Sequence, residues 1–180
     1  GVNDAPAIGA IVPAAYTQEA SAIVLASTGT LSDLELDAFS SGAGNWGGAA
    51  LTLARHGGAD ASDVFVGSGA LGTLTEGEPL VIGSIVVGSV STNSSGQLSL
   101  VFNDATTSAQ VQAVIQLIAY ANTDRSLGDS ETASITLDWT VNDGNKTDQG
   151  VGGPLQATYT QTVTLTGVND APTLSAAAGL

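Results

Sequence analysis

The chain of 180 residues reads as an all-β sandwich carrying one helical insertion. Short alternating or β-branched runs recur along it, each closed by a cluster of Gly, Asn, Asp or Ser, the pattern of strands joined by tight turns. One stretch, about 107–122, changes to helical spacing. The hexapeptide Gly-Val-Asn-Asp-Ala-Pro stands at 1–6 and again at 167–172, as it would at the junctions of a tandem array.

Taken in order, residues 1–6 are a junction with a preceding repeat, 7–168 a single repeat, and 169–180 a second junction and the start of the next repeat. Pro6 and Pro172 are barred from a central strand and push the alanine before them toward extended backbone. Ala7 to Val12 opens the sandwich and Pro13 interrupts it. Ser21 to Ala26 is a compact apolar run of strand length. Leu31 to Phe39 is read as a strand, which places Asp33, Glu35 and Asp37 on one face. Ser40 to Asn45 is a turn cluster. Trp46 to Arg55 is a strand with Leu51 and Leu53 inward, and His56 to Asp60 a loop. Asp63 to Val66 and Leu71 to Thr75 are short strands. Leu80 to Val90 is a long strand that Gly83 and Gly88 bend. Asn93-Ser94-Ser95-Gly96 turns it into Gln97 to Phe102.

The helix follows. Thr107 or Ser108 caps it, and Val111, Val114, Ile115, Ile118 and Ala119 form its apolar stripe, ending near Tyr120 to Asn122. Thr132 to Asp143 then alternates with Ala133, Ile135, Leu137, Trp139 and Val141 on one face. After a Gly-rich loop from Lys146 to Gln156, Ala157 to Val168 alternates again, with Val163 and Leu165 inward. The first and last strands feed opposite junctions, so the two ends belong at opposite poles.

Composition narrows the function. Seventeen acidic residues face three basic ones, for a net charge of -14. Nucleic-acid binding needs a basic face and is not expected. No apolar run approaches the ~18 residues of a membrane span, so no membrane insertion is expected. Cysteine is absent, which is compatible with export. Crowded carboxylates weaken the compact state unless cations neutralise them.

Several stretches resemble a known family. Asp33-Leu34-Glu35 followed by a loop with Asn45 resembles the cadherin pattern of two spaced acids and an Asn. Val141-Asn142-Asp143-Gly144 resembles its late-strand Asp, Asn169-Asp170-Ala171-Pro172 its linker, and Glu19 its early glutamate. The closer likeness, over nearly the whole chain, is to the cadherin-like, Ig-like repeats of very large bacterial surface adhesins of the RTX type, which G-V-N-D-A-P junctions punctuate. There are departures. Glu35 stands where the pattern has Asp, Asp124-Arg125-Ser126 keeps only two letters of the D-R-E segment, and the helix is foreign to vertebrate cadherins.

The resemblance implies an Ig/cadherin-like Greek-key sandwich, secreted to the bacterial cell surface, monomeric and partnered by neighbouring repeats of its own chain. Other domains of the protein would engage a host or abiotic surface. It also implies calcium, which takes six to eight oxygen ligands from carboxylates, amides, backbone and water. The expected upper set is Asn3, Asp4, Asp33, Glu35, Asn45 and Asp143. The lower set is Glu19, Asn169 and Asp170, completed by the next repeat. Each of these acids taken alone is equally well a turn cap or a solvated side chain. Asp37 continues the period-two run of acids and is equally well a solvated residue.

No catalytic set is expected. His56 is the only histidine and sits in a Gly-rich loop without a nucleophile. Ser94-Ser95-Gly96 is not a nucleophile elbow, and Gly150 to Gly153 lacks the Lys-Ser/Thr of a phosphate loop. Trp46 and Trp139 are expected in the core. The reading is therefore a calcium-binding extender repeat. The alternative is a module that binds carbohydrate or a cell-surface partner through the loops Gly42–Gly48 and Lys146–Gly153.

Overall fold

The computed structural model describes residues 1–146 and 149–169. It is mostly β, with sheets packed as a sandwich and two helices. The strands are β1 (Ala7–Gly9), β2 (Ala14–Thr17), β3 (Ile23–Val24), β4 (Thr30–Ser32), β5 (Ala50–Arg55), β6 (Asp63–Gly67), β7 (Pro79–Ile82), β8 (Ile85–Ser94), β9 (Gln97–Phe102), β10 (Ile118–Asn122), β11 (Thr132–Asn142) and β12 (Gln156–Thr166); the helices are α1 (Leu34–Gly42) and α2 (Ser108–Leu117).

One face is a seven-stranded sheet in the order β2-β12-β11-β5-β9-β8-β7. Its longest ladder joins β11 to β12 from Thr132↔Thr166 to Asn142↔Gln156. The inner face of this sheet supplies Leu51, Leu53, Leu98, Leu100, Leu137, Trp139 and Val163, all fully buried. The three-stranded sheet β3-β10-β6 and the helices close the core, with Phe65, Tyr120, Val111, Val114 and Ile115 in the same cluster. Tyr120 meets Tyr16 edge-on, ring centroids 5.8 Å apart. Both tryptophans are wholly buried. Period-two alternation therefore places the core face of β5, β11 and β12 correctly.

The structure corrects three local expectations. Of the segment Leu31 to Phe39 only Leu31 and Ser32 are strand, the end of β4; from Leu34 the chain is helical. Asp33 causes this. It sits in extended backbone as the N-cap, and its carboxylate accepts from Glu35 N and Leu36 N at 3.0 and 2.9 Å. Glu35 and Asp37 then lie in the first turn, where acids suit the helix dipole. The regular helix breaks at Phe39, and Ser40 and Ser41 adopt positive φ.

The second correction concerns the other helix. Thr107 caps it in a reciprocal capping box with Gln110, but it ends at Leu117 rather than near Asn122. Ile118 is extended, and Ile118–Asn122 pairs with β6 from Ile118↔Gly67 to Asn122↔Asp63. Sheet pairing on both edges outweighs the helical phase there. Thirdly, Leu80 to Val90 is two strands: Gly83, at φ +60°, turns β7 into β8, and Leu71 to Thr75 contributes only the bridge Leu71↔Ile82. The turn at Ser95-Gly96 has positive φ at both residues, as a two-residue hairpin requires.

The opening segment and Gly167 lie at opposite ends of the β11–β12 ladder. Val2 bridges Val151 beside the close of β11, whereas Gly167 N donates to Glu131 O, 2.8 Å, beside its start.

Candidate functional site

The pole beside Val2 gathers Asn3, Asp33, Glu35 and Asp143 of the expected set, with Asp4 joined through its backbone. Asp143 follows β11 and is wholly buried. Its Oδ1 accepts from Asn145 N and Leu155 N, both 3.0 Å, and its Oδ2 accepts from Asn3 Nδ2 at 2.6 Å. Asn3 reaches it because the opening segment is strapped down: Val151 N donates to Gly1 O (3.0 Å) and Asn3 N to Val151 O (3.3 Å). Gly150, at φ +144°, allows that approach, since a Cβ there would stand 2.8 Å from Asn3 N. Asp33 is 3 % exposed. Glu35 Oε2 accepts from the backbone N of Asp4 at 3.3 Å, and the Asp4 side chain is exposed.

Hydrogen-bond donors run out at this pole. Among the described residues, Asn3 Oδ1, Asp33 Oδ2 and Gln149 Oε1 are buried without a partner, and the other end of the Gln149 amide donates to Asp143 O at 3.3 Å. Three acceptor oxygens are thus left over around Asp143, where a buried polar group ordinarily finds a partner. Burial pushes the Asp33 carboxyl above its usual range, against the backbone donor Leu36, and the charges of Glu35 and Asp143 add to the rise. A site of unpaired oxygens and repelling carboxylates is what a hard cation stabilises. Among the described residues, no three His, Cys, Asp or Glu side chains come together as a metal-ligand group. The pole supplies carboxylates alongside amide oxygens instead, a mixture calcium accepts.

No family model, no curated protein and no solved structure matches this chain. Its chemistry is therefore read from its own side chains.

Asn45 is not drawn into this set by any contact: its Oδ1 accepts from Gly47 N (3.1 Å) and Ala105 N (2.9 Å), which pins its own loop. Asp37 is not merely solvated. Its Oδ2 accepts from Asp33 N at 3.0 Å, and its Oδ1 from Trp46 Nε1 at 3.2 Å and from the Ser108 hydroxyl, tying α1 to α2.

At the far pole, Glu19 lies at φ +63° and pairs with Arg125. Asn169 is exposed, and Asp170 lies outside the described residues.

The remaining charges have structural partners. Arg55 grips buried Asp63 with two bonds, 2.9 and 2.7 Å, and Asp60 with a third, 2.9 Å. Tyr120 Oη and Asn122 Nδ2 also donate to Asp63, at 2.7 and 2.9 Å. Burial and the Asp63 hydrogen bond push the Tyr120 hydroxyl far up, so it stays a donor. Hydrogen bonds from Ser62 and the charge of Arg55 hold the Asp60 carboxyl below its usual range. Lys146 pairs with Asp104. Arg55, Arg125 and Lys146 thus pair with Asp60 and Asp63, with Glu19, and with Asp104. His56 Nδ1 meets Asp138 Oδ2 at 2.8 Å on an exposed surface, and among the described residues no nucleophile is bonded to the pair.

Sequence reading missed α1 and Gln149. The first had a signal: an Asp followed by acids in the next turn is a helix start. Gln149 had none, because a lone Gln in a Gly-rich loop carries no pattern.

Proposed function

We propose that this chain is a calcium-binding extender repeat of an extracellular bacterial adhesin, with an Ig/cadherin-like Greek-key sandwich, in which metal fixes the junction segment to the body of the module. One observation carries the reading: Asn3 Oδ1, Asp33 Oδ2 and Gln149 Oε1 are buried and unpaired around Asp143. These oxygens come from the junction, from the cap of α1 and from the loop after β11. A cation among them ties three separate segments together. Neighbouring modules would then hold a fixed angle, because the hinge residues Gly1 to Asp4 can no longer swing. Without the cation, like charges crowd a strap held by two backbone bonds.

Calcium that binds the folded state alone stabilises it by about 2.7 kcal/mol at a hundredfold excess over Kd. The test is calorimetric titration with calcium, with melting curves in chelator and in millimolar calcium. Saturable heat and a higher melting temperature support the reading; superimposed melting curves without heat reject it.

A further inference from the structure

Apart from any metal, the hydrogen-bond pattern of the first and last strands has a mechanical consequence. β2 is parallel to β12, with Ala14, Ala15, Tyr16 and Thr17 opposite Val163, Thr164, Leu165 and Thr166, whereas the other ladders between named strands are antiparallel. We propose that the parallel β2–β12 pair is a shear clamp that makes the module resist tension applied through its two ends.

The geometry follows from chain direction. Tension on the N-terminal side drags β2 toward its own start, and tension on the C-terminal side drags β12 toward its own end. For parallel neighbours these pulls are opposed along one axis. The inter-strand bonds lie across that axis, so all of them are loaded together rather than in succession. Tension that has passed the Val2–Val151 bridge and the β1–β4 pair crosses from β2 into β12 at this ladder, and the chain from β5 to α2 stays out of the path.

Side chains extend the clamp at both ends. Upstream of β2, Tyr159 Oη donates to Ile11 O and Gln161 Nε2 to Val12 O, each at 2.8 Å. Downstream, Gln18 N donates to Thr166 O at 2.9 Å. Gln161 is itself anchored, accepting from Trp139 Nε1 at 2.9 Å and donating to Leu25 O at 2.6 Å. Tyr16, 3 % exposed, is a knob in the core that must be dragged out before β2 slides. The bridge Val2↔Val151 is parallel as well, so the junction strap is sheared in the same sense.

The calcium reading supplies the tandem array from which tension would come; the clamp itself needs only the topology. The test is single-molecule pulling in chelator, so that absence of calcium binding and absence of the clamp are separate results. The chain has no cysteine, so Ala20→Cys, at an exposed position just past β2, gives a unique handle. Pulling from the two ends shears the pair. Pulling from residue 20 and the C-terminal end grips both strands at the same end and peels them. Terminal pulling should need about twofold or more force at equal loading rate, since forced unfolding follows the unfolding barrier. Tyr159→Phe should lower the terminal-pulling force and leave the peeling force unchanged. Equal forces in the two geometries, or a Tyr159→Phe effect of the same size in both, overturn the proposal.

Discussion

Asn3 donates its side-chain amide to the Asp143 carboxylate over 2.6 Å, joining residues 140 apart in sequence. The bond is buried, and it anchors the first junction to the end of β11. The same Asn3 leaves its carbonyl oxygen unpaired, so one side chain both satisfies Asp143 and presents an acceptor.

Replacing that donor by an acceptor should expose the charge balance. Asn3→Asp sets a second carboxylate against Asp143 with no cation near. In chelator it should destabilise the fold by about 1–3 kcal/mol, the range for a buried group deprived of its donor. Calcium should recover much of that loss and raise the melting temperature by more than in the unmodified protein. Melting curves with and without calcium check both signs.

Asp33 carries a different signature, because its folded-state carboxyl titrates above the ordinary 3.8. An acid with a raised folded value contributes stability at low pH and loses it as pH rises through that value. At neutral pH, without metal, ionised Asp33 is therefore a net cost. Asn caps a helix as well as Asp does. Asp33→Asn should leave the melting temperature in chelator at pH 7 unchanged or higher, and should flatten its decline from acid to neutral pH. In calcium the variant should lose most of the metal-dependent rise. Apparent calcium affinity of the unmodified protein should likewise begin to fall while an aspartate of ordinary pKa is still ionised. Titrations across the acid range measure this.

The larger strands and their inward faces were legible in the chain. Leu51 and Leu53, Leu137 and Trp139, and Val163 and Leu165 alternate in two-sided strands, and burial enforces that phase. Where two periods compete, reading the sequence fails. Asp33-Leu34-Glu35-Leu36-Asp37 alternates like a strand, yet the cap formed by Asp33 sets it as a helix. Ile118 to Asn122 continues the stripe of α2, yet it pairs with β3 and β6. The pole was half legible. Asp33 and Asp143 stand in recognisable patterns, but Gln149 enters through a long-range fold of a Gly-rich loop. Gln161 is hidden for the same reason: its partners Val12, Leu25 and Trp139 are distant in sequence.

The Arg55–Asp63 pair should matter for folding and not for calcium. Asp63 receives bonds from Arg55, Tyr120 and Asn122 with its side chain fully out of water. Asp63→Ala strands all three donors and leaves the guanidinium without its two-point partner. Removing one member of a buried pair typically costs about 3–5 kcal/mol. Denaturant unfolding should show that loss, and the calcium-induced shift should persist in whatever fraction remains folded.

Gly150 separates the strap from the charges. No carboxylate is altered by Gly150→Ala, but at φ +144° the new Cβ meets Asn3 N at 2.8 Å and the Val2 carbonyl carbon at 2.9 Å. The opening segment must lift, and the backbone is strained at about 1–3 kcal/mol if it does not. Asn3 would then withdraw from Asp143, and the pole would lose the oxygen that the junction brings. Calcium affinity should fall although Asp33, Glu35 and Asp143 are untouched, and proteases should cut near Gly1 to Asp4 sooner. Unchanged calorimetry together with faster cutting would mean that the strap holds the junction but contributes no ligand, and the metal would then have to sit on Asp33, Glu35, Asp143 and Gln149 without Asn3.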